Sequence, residues 1–203
     1  MKSLRLFASA AIAALALGTA SAEPVVYNVG ENPARVNLTF SSVTDFEDIF
    51  GSTNEVKGTV VVDESDISKS AVSLTVPVAS LKTGIPLRDE HLQGEKWLYA
   101  AQNPNITFRS TKVEPGSTPE QVTVTGDFTM NGVTKPLTLT VTGRKIPAET
   151  AQKAGIGKGD WARFQGQFQV KFSDHGVNLT EGQAFKVADT VTINFSFFAR
   201  AAE

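Results

Sequence analysis

The sequence predicts an all-β domain of antiparallel strands, and three observations carry that prediction. Apolar residues recur at every second position over most of the chain, as at Val72, Leu74, Val76 and Val78, which is the period of a strand with one buried face. Short turn signals such as Asn131-Gly132 separate the alternating runs, and that dipeptide favours a tight hairpin. The runs alternate instead of being continuously apolar, as antiparallel sheets with one wet face do and parallel sheets covered on both faces do not.

Taken in order, a short strand at Val25 to Val29 precedes the first clear alternation, in which Val36, Leu38 and Phe40 are interleaved with Asn37, Thr39 and Ser41. Val60 and Val62, then Val72 to Val78, then Ile106 and Phe108 continue the pattern. It is clearest further on, where Val122, Val124, Phe128 and Met130 alternate with Thr123, Thr125, Asp127 and Thr129. Leu137, Leu139 and Val141 follow the turn, and Phe164, Phe168, Val170 and Phe172 precede a last run at Val191, Ile193, Phe195 and Phe197. Eight or nine such strands either stack as two sheets or close into a barrel. Periodicity leaves both open, although a sandwich fills its interior whereas a barrel can enclose a cavity.

Two stretches break the β pattern. Residues 88–102 contain good helix formers, with Asp89 as a cap and Asn103-Pro104 as a stop, and predict one or two short helices over an end of the β-structure. Residues 143–161 are rich in Gly, Lys and Ala and predict a long connection, either a lid or a plain linker. Its Gly155-Ile156-Gly157-Lys158-Gly159 lacks the strand-to-helix setting and the Lys-Ser/Thr ending of a phosphate cradle.

The amino terminus reads as an export signal. Lys2 and Arg5 precede an apolar run over residues 6–17, shorter than the roughly 20 residues of a membrane span, and Ala20-Ser21-Ala22 supplies a small-residue cleavage pattern. Residues 1–22 are therefore expected to be removed, leaving 23–203 as one domain without a transmembrane segment. A chain of about 180 residues buries about 70% of its extended surface without staples. There is no cysteine, which excludes disulfides and thiolate chemistry and fits export to a bacterial periplasm.

Lys and Arg number 19 against 21 Asp and Glu, with no basic cluster of the kind a nucleic-acid face needs. The chain has no Gly-x-Ser-x-Gly elbow and no His-Glu-x-x-His, so no catalytic site is expected. Two histidines without cysteine do not supply the three or four donors of a transition-metal site; His175, between Asp174 and Gly176, reads as a turn residue. Arg88, Asp89 and His91 are the most chemical-looking group, offering a cation, a carboxylate and a titratable ring within four positions. They are open to two readings, a polar mouth or a helix cap with a local ion pair.

Ser80-Leu81-Lys82-Thr83-Gly84, Leu87-Arg88-Asp89-Glu90-His91-Leu92 and Asn103-Pro104-Asn105-Ile106-Thr107-Phe108 together resemble the central signature of the YceI-like family. Gly126-Asp127-Phe128-Thr129-Met130-Asn131-Gly132-Val133-Thr134-Lys135-Pro136 is similar to its second hallmark, and residues 187–197 to its closing strand. The resemblance implies an extended, lipocalin-like, eight-stranded antiparallel β-barrel with a short helical segment near one end. It also implies a periplasmic binding protein that holds a long apolar molecule in the barrel, such as a polyisoprenoid, an isoprenoid quinone lipid or a fatty-acid derivative. The alternatives are a ligand-free structural or stress-related interaction module and, behind it, an enzyme acting on a lipophilic substrate with His91 as acid or base. No further cofactor is required, and the oligomeric state stays open, a homodimer included.

On that reading Phe40, Phe108, Phe128, Met130, Phe168 and Phe172 are expected to line the interior, with Trp97 contributing from the helical segment and Arg88 and His91 steadying a head group. The sequence departs from the family pattern at Pro33-Ala34 and at Val43-Thr44-Asp45-Phe46, where relatives often carry histidines. Phe46, Ile49 and Phe50 are expected to form an apolar rim there instead.

Overall fold

The structure is a computed structural model that describes residues 23–202; the expected leader, residues 1–22, lies outside the described residues. Ten strand segments are β1 (Val25–Val29), β2 (Val36–Val43), β3 (Asp48–Thr53), β4 (Lys57–Val62), β5 (Ala71–Pro77), β6 (Asn105–Pro115), β7 (Gln121–Met130), β8 (Val133–Ile146), β9 (Trp161–Lys171) and β10 (Thr190–Ala201). All pairings between them are antiparallel, and the sheet closes because β1 pairs with both β4 and β10.

The ten segments make eight staves. The edge of β10 is shared, with Val36 to Ser41 of β2 opposite Phe197 to Thr192 and Val29 to Tyr27 of β1 opposite Ala199 to Ala201. Between them, Gly30 turns the chain at φ 90° and a 3-10 turn at Pro33–Arg35 leads into β2. The neighbouring stave is interrupted in the same way, β3 pairing with β2 and β4 with β1. Closure decides between the two architectures that alternation left open, and the eight-stranded antiparallel barrel implied by the resemblance is the fold.

Alternation sorts the side chains across the wall. Leu137, Leu139 and Val141 of β8 face inward, while Thr138 and Thr134 outside bond to Thr125 and Thr129 of β7 at 2.9 and 2.7 Å. At the turn between these strands Asn131 and Gly132 both take positive φ, 49° and 74°, as a two-residue type I′ hairpin requires.

The barrel's two ends differ. One carries the long β5–β6 connection, the β7–β8 hairpin and the β9–β10 connection with α3 (Glu181–Ala184). The predicted helical segment lies here, but helix α1 is shorter than expected, Pro86–Gln93, followed by bends and turns from Gly94 to Gln102. Proline in its first turn supplies a backbone angle already suited to a helix. Asp89 is not the cap. It sits inside the first turn, buried, and its Oδ1 accepts hydrogen bonds from both the N–H and the hydroxyl of Thr83 at 2.7 Å.

Burial pushes the Asp89 carboxyl up, but the two bonds from Thr83 outweigh it and hold it below the ordinary carboxylate value. A depressed folded-state pKa contributes stability that is present above the unfolded value near 4 and is lost as pH falls through the folded one. Asp89→Ala is therefore expected to cost about 2 kcal/mol at pH 7. The gap from the unsubstituted chain should close in denaturant melts repeated below about pH 4. A gap that stays constant with pH would refute this role.

The opposite end carries the β4–β5 loop, the β6–β7 hairpin and the β8–β9 connection. In the last of these, strand β8 runs on to Ile146 and helix α2 (Ala148–Lys153) occupies part of the expected linker. The linker is tied down where Arg35 donates to Gly155 O and the indole of Trp161 donates to Lys158 O.

Candidate functional site

The inward faces enclose a cavity of about 790 Å³ inside the barrel, a volume typical of small-molecule sites. Its walls are hydrocarbon, drawn from inward positions of all eight staves, among them Leu38, Leu74, Ile106, Leu137, Val141 and Ile193. An eight-stranded barrel either fills with its own side chains or leaves room for one small ligand, so what keeps this one open needs an explanation. Glycine provides it. A side chain at Gly51 would meet the Phe40 ring at 2.0 Å, one at Gly126 the Phe108 ring at 2.7 Å, and one at Gly166 the Phe195 ring at 2.7 Å. Each ring lies over a glycine of the adjacent strand, flat against the wall, and the lumen stays open.

The α1 end is sealed. Leu81, Leu92 and Leu98 form the floor, and Leu98 is only 2% exposed. Leu98 N donates to Leu92 O, folding the segment after α1 across the barrel. Trp97 stands beside the floor, its ring edge-on to Phe172 with centroids 5.8 Å apart. The other end is the mouth, bordered by residues 115–121 of the β6–β7 hairpin and by Glu64, Arg144 and Lys145. Lys145 bonds Glu64 at 2.7 Å, which holds its ammonium above the ordinary lysine value, and Arg144 reaches Glu120 at 3.2 Å. These half-exposed pairs tie two loops to β8 and contribute up to about 1 kcal/mol each.

The expected lining residues divide accordingly. Phe40, Phe108, Phe128, Met130, Phe168 and Phe172 all border the cavity. Trp97 does not border it directly. Arg88 and His91 are at the sealed end, away from both cavity and mouth: Arg88 pairs with Glu47 of the β2–β3 turn, and His91 is exposed on α1. The reason is polarity of the chain, since α1 joins the end of β5 to the start of β6, and β6 must run its full length before it reaches the mouth at Pro115. His175 is in a turn, as read, but buried, with Nδ1 2.9 Å from Val133 O and its ring 5.4 Å from that of Phe128.

Sequence reasoning passed over Tyr27, Phe164, Phe195 and Phe197 as lining residues, though they share the inward phase of the residues chosen. They complete a row of ring contacts. From His175 it passes through Phe128, Phe168, Phe195, Phe197 and Phe164 to Tyr27, every step 5.4 to 6.3 Å between centroids. The row connects the sealed end to the mouth. Glu64 and Lys145 were passed over as well, because a charge after an apolar run reads as the end of a strand.

The residues of the two departures from the family pattern lie away from the lumen. Pro33 and Ala34 form the 3-10 turn in the first stave, and Val43, Phe46 and Phe50 are exposed on the β2–β3 hairpin, where Phe46 meets Phe185 edge-on at 5.4 Å. The described residues hold no group of three or more His, Cys, Asp or Glu arranged for a metal ion, and none of their helices is long and apolar enough to cross a membrane.

The sequence model of the YceI-like domain matches residues 27–199, spanning every stave of the barrel. The chain belongs to the YceI-like family. A relative from Pseudomonas aeruginosa, described as a UPF0312 protein, is 30% identical over 183 residues, covering 85% of this chain and 90% of its own. Among solved structures, BcnA of Burkholderia cenocepacia superimposes with a TM-score of 0.71 at 24% identity, over 83% of this chain and 98% of that one. A polyisoprenoid binding domain from Saccharophagus degradans, implicated in plant cell wall breakdown, matches with a TM-score of 0.60 at 15% identity, over 87% and 98%. At these identities the two structures establish the YceI-like fold.

Proposed function

We propose that this YceI-like barrel is a periplasmic carrier that holds one long apolar molecule, a polyisoprenoid, isoprenoid quinone or fatty-acid derivative, inside its lumen and releases it chemically unchanged. The observation that carries the proposal is the hydrocarbon-walled cavity, floored by Leu81, Leu92 and Leu98 and with charged groups only at its mouth. Such a tube rewards an apolar tail by about 25 cal/mol for each Å² taken from water and needs few directional contacts. The resemblance in fold to a polyisoprenoid binding domain supports the same class of ligand. An export signal and the lack of cysteine in the sequence support the compartment.

Titration with geraniol, farnesol and geranylgeraniol, followed by calorimetry, tests the proposal. Each added five-carbon unit should tighten binding by about tenfold or more while the tail still fits. Affinity that does not change with length, or no binding, would reject a tail-reading lumen.

A further inference from the structure

One of the side chains bordering the lumen carries a polar group within the apolar wall. Tyr27 borders the cavity and is 2% exposed, and its ring packs edge-on to Phe164 at 5.9 Å. Among the described residues no hydrogen bond reaches its hydroxyl, which keeps accessible surface at the cavity instead of being sealed in the wall. The position is not accidental in the pattern. Tyr27 occupies an inward place on β1 between Val25 and Val29, and a phenylalanine there would fill the wall equally well without a polar atom to satisfy.

The surroundings of that hydroxyl define what could complete it. Glu64 and Lys145 border the same cavity as Tyr27, and they and Asp160 act on its hydroxyl electrostatically. Asp160 is engaged elsewhere, accepting from the Ala148 N–H at 2.7 Å. Lys145 continues the inward phase of Leu139, Val141 and Gly143 on β8, and Glu64 that of Val60 and Val62 beyond β4. Both therefore turn toward the opening as they bond each other at 2.7 Å. Glu64 takes one of the three ammonium protons, which leaves Lys145 with donors to spare. Burial pushes the Tyr27 hydroxyl up from its ordinary value more strongly than Lys145 pulls it down, so it is a protonated donor at neutral pH.

Resting on the reading of the lumen as a tail site, we infer that Tyr27 and Lys145 form a head-group anchor at the mouth, donating to an acceptor oxygen at the end of the bound tail. The ligand then enters tail first, with its chain toward the floor at Leu98 and its oxygen at the rim. An alcohol or carbonyl oxygen and a phosphate oxygen share this acceptor chemistry.

Three probes of matched length separate the possibilities: phytane, which has no head group, geranylgeraniol and geranylgeranyl monophosphate. Each is titrated against the unsubstituted chain, Tyr27→Phe and Lys145→Met, with circular dichroism and melting temperature confirming that the variants fold. Tyr27→Phe should weaken the two head-bearing probes by about 3- to 10-fold, the yield of one hydrogen bond, and leave phytane unchanged. Lys145→Met should act in the same selective manner. A greater loss with the monophosphate identifies an anionic head, and equal losses a neutral oxygen. Unchanged affinity of both head-bearing probes in both variants overturns the anchor, as does an equal loss for phytane, which would mean altered wall packing. If the unsubstituted chain binds phytane but not the head-bearing probes, the anchor falls and the lumen reading survives. If it binds none of the three, both fall together.

Discussion

Leu74→Trp combined with Leu137→Trp is expected to lower affinity for geranylgeraniol by about 100-fold while the barrel remains folded. The two leucines are inward and only partly covered, on β5 and β8, three staves apart around the ring. Indoles at these places project into the cavity of about 790 Å³, where they have room that a packed core would deny them. Every methylene of ligand so displaced forfeits about 0.8 kcal/mol, so four cost about 3 kcal/mol, or about 100-fold in affinity. Thr140→Trp, on the outer face of β8, is the control and should leave binding unaltered. Titration calorimetry on the three proteins checks the expectation. Retained affinity in the double variant would place the ligand outside the lumen.

The second large effect concerns the floor. Leu98→Ala should destabilise the protein by about 3 kcal/mol, as truncation of a fully buried leucine does, and lower the melting temperature by roughly 6 to 12 °C for a domain of this size. Leu98 closes the barrel without belonging to it, because the chain after α1 folds back through the bond from Leu98 N to Leu92 O. Its side chain therefore supports both the segment and the lower end of the cavity. Scanning calorimetry reads the change, and a loss below about 1 kcal/mol would show that the segment is not a fixed floor.

The strands were legible in the sequence because each is amphipathic with a two-residue period, and the same phase marked Phe108, Phe128 and Phe168 as lining. Closure was not legible. It depends on β1 and β2 sharing the edge of β10 across the interruption at residues 30–35, and on β1 finding β4 instead of its chain neighbour. No local pattern reports pairings of that separation. The hollow interior was hidden for a related reason, since Gly51, Gly126 and Gly166 acquire their meaning only beside the rings of adjacent strands.

Of the two readings open for the helical cluster, the ion pair fits the structure and the polar mouth does not. Arg88, Asp89 and His91 concentrate chemistry within four positions, yet two of them act as lashings, Arg88 to Glu47 and Asp89 to Thr83, at the sealed end. The polar mouth draws instead on Tyr27, Glu64 and Lys145, which lie far apart in sequence and meet only once the barrel has closed. Proximity in sequence favoured the cluster that stabilises, while the groups assembled at the opening were dispersed.

Native mass spectrometry of the chain purified from a bacterial periplasm, without added lipid, tests the central claim most directly. The account predicts a complex with one apolar molecule per chain that releases a free, tail-bearing lipid on collisional activation and is lost in the Leu74→Trp, Leu137→Trp protein. A chain at its bare polypeptide mass that also takes up no isoprenoid when lipid is supplied would contradict it.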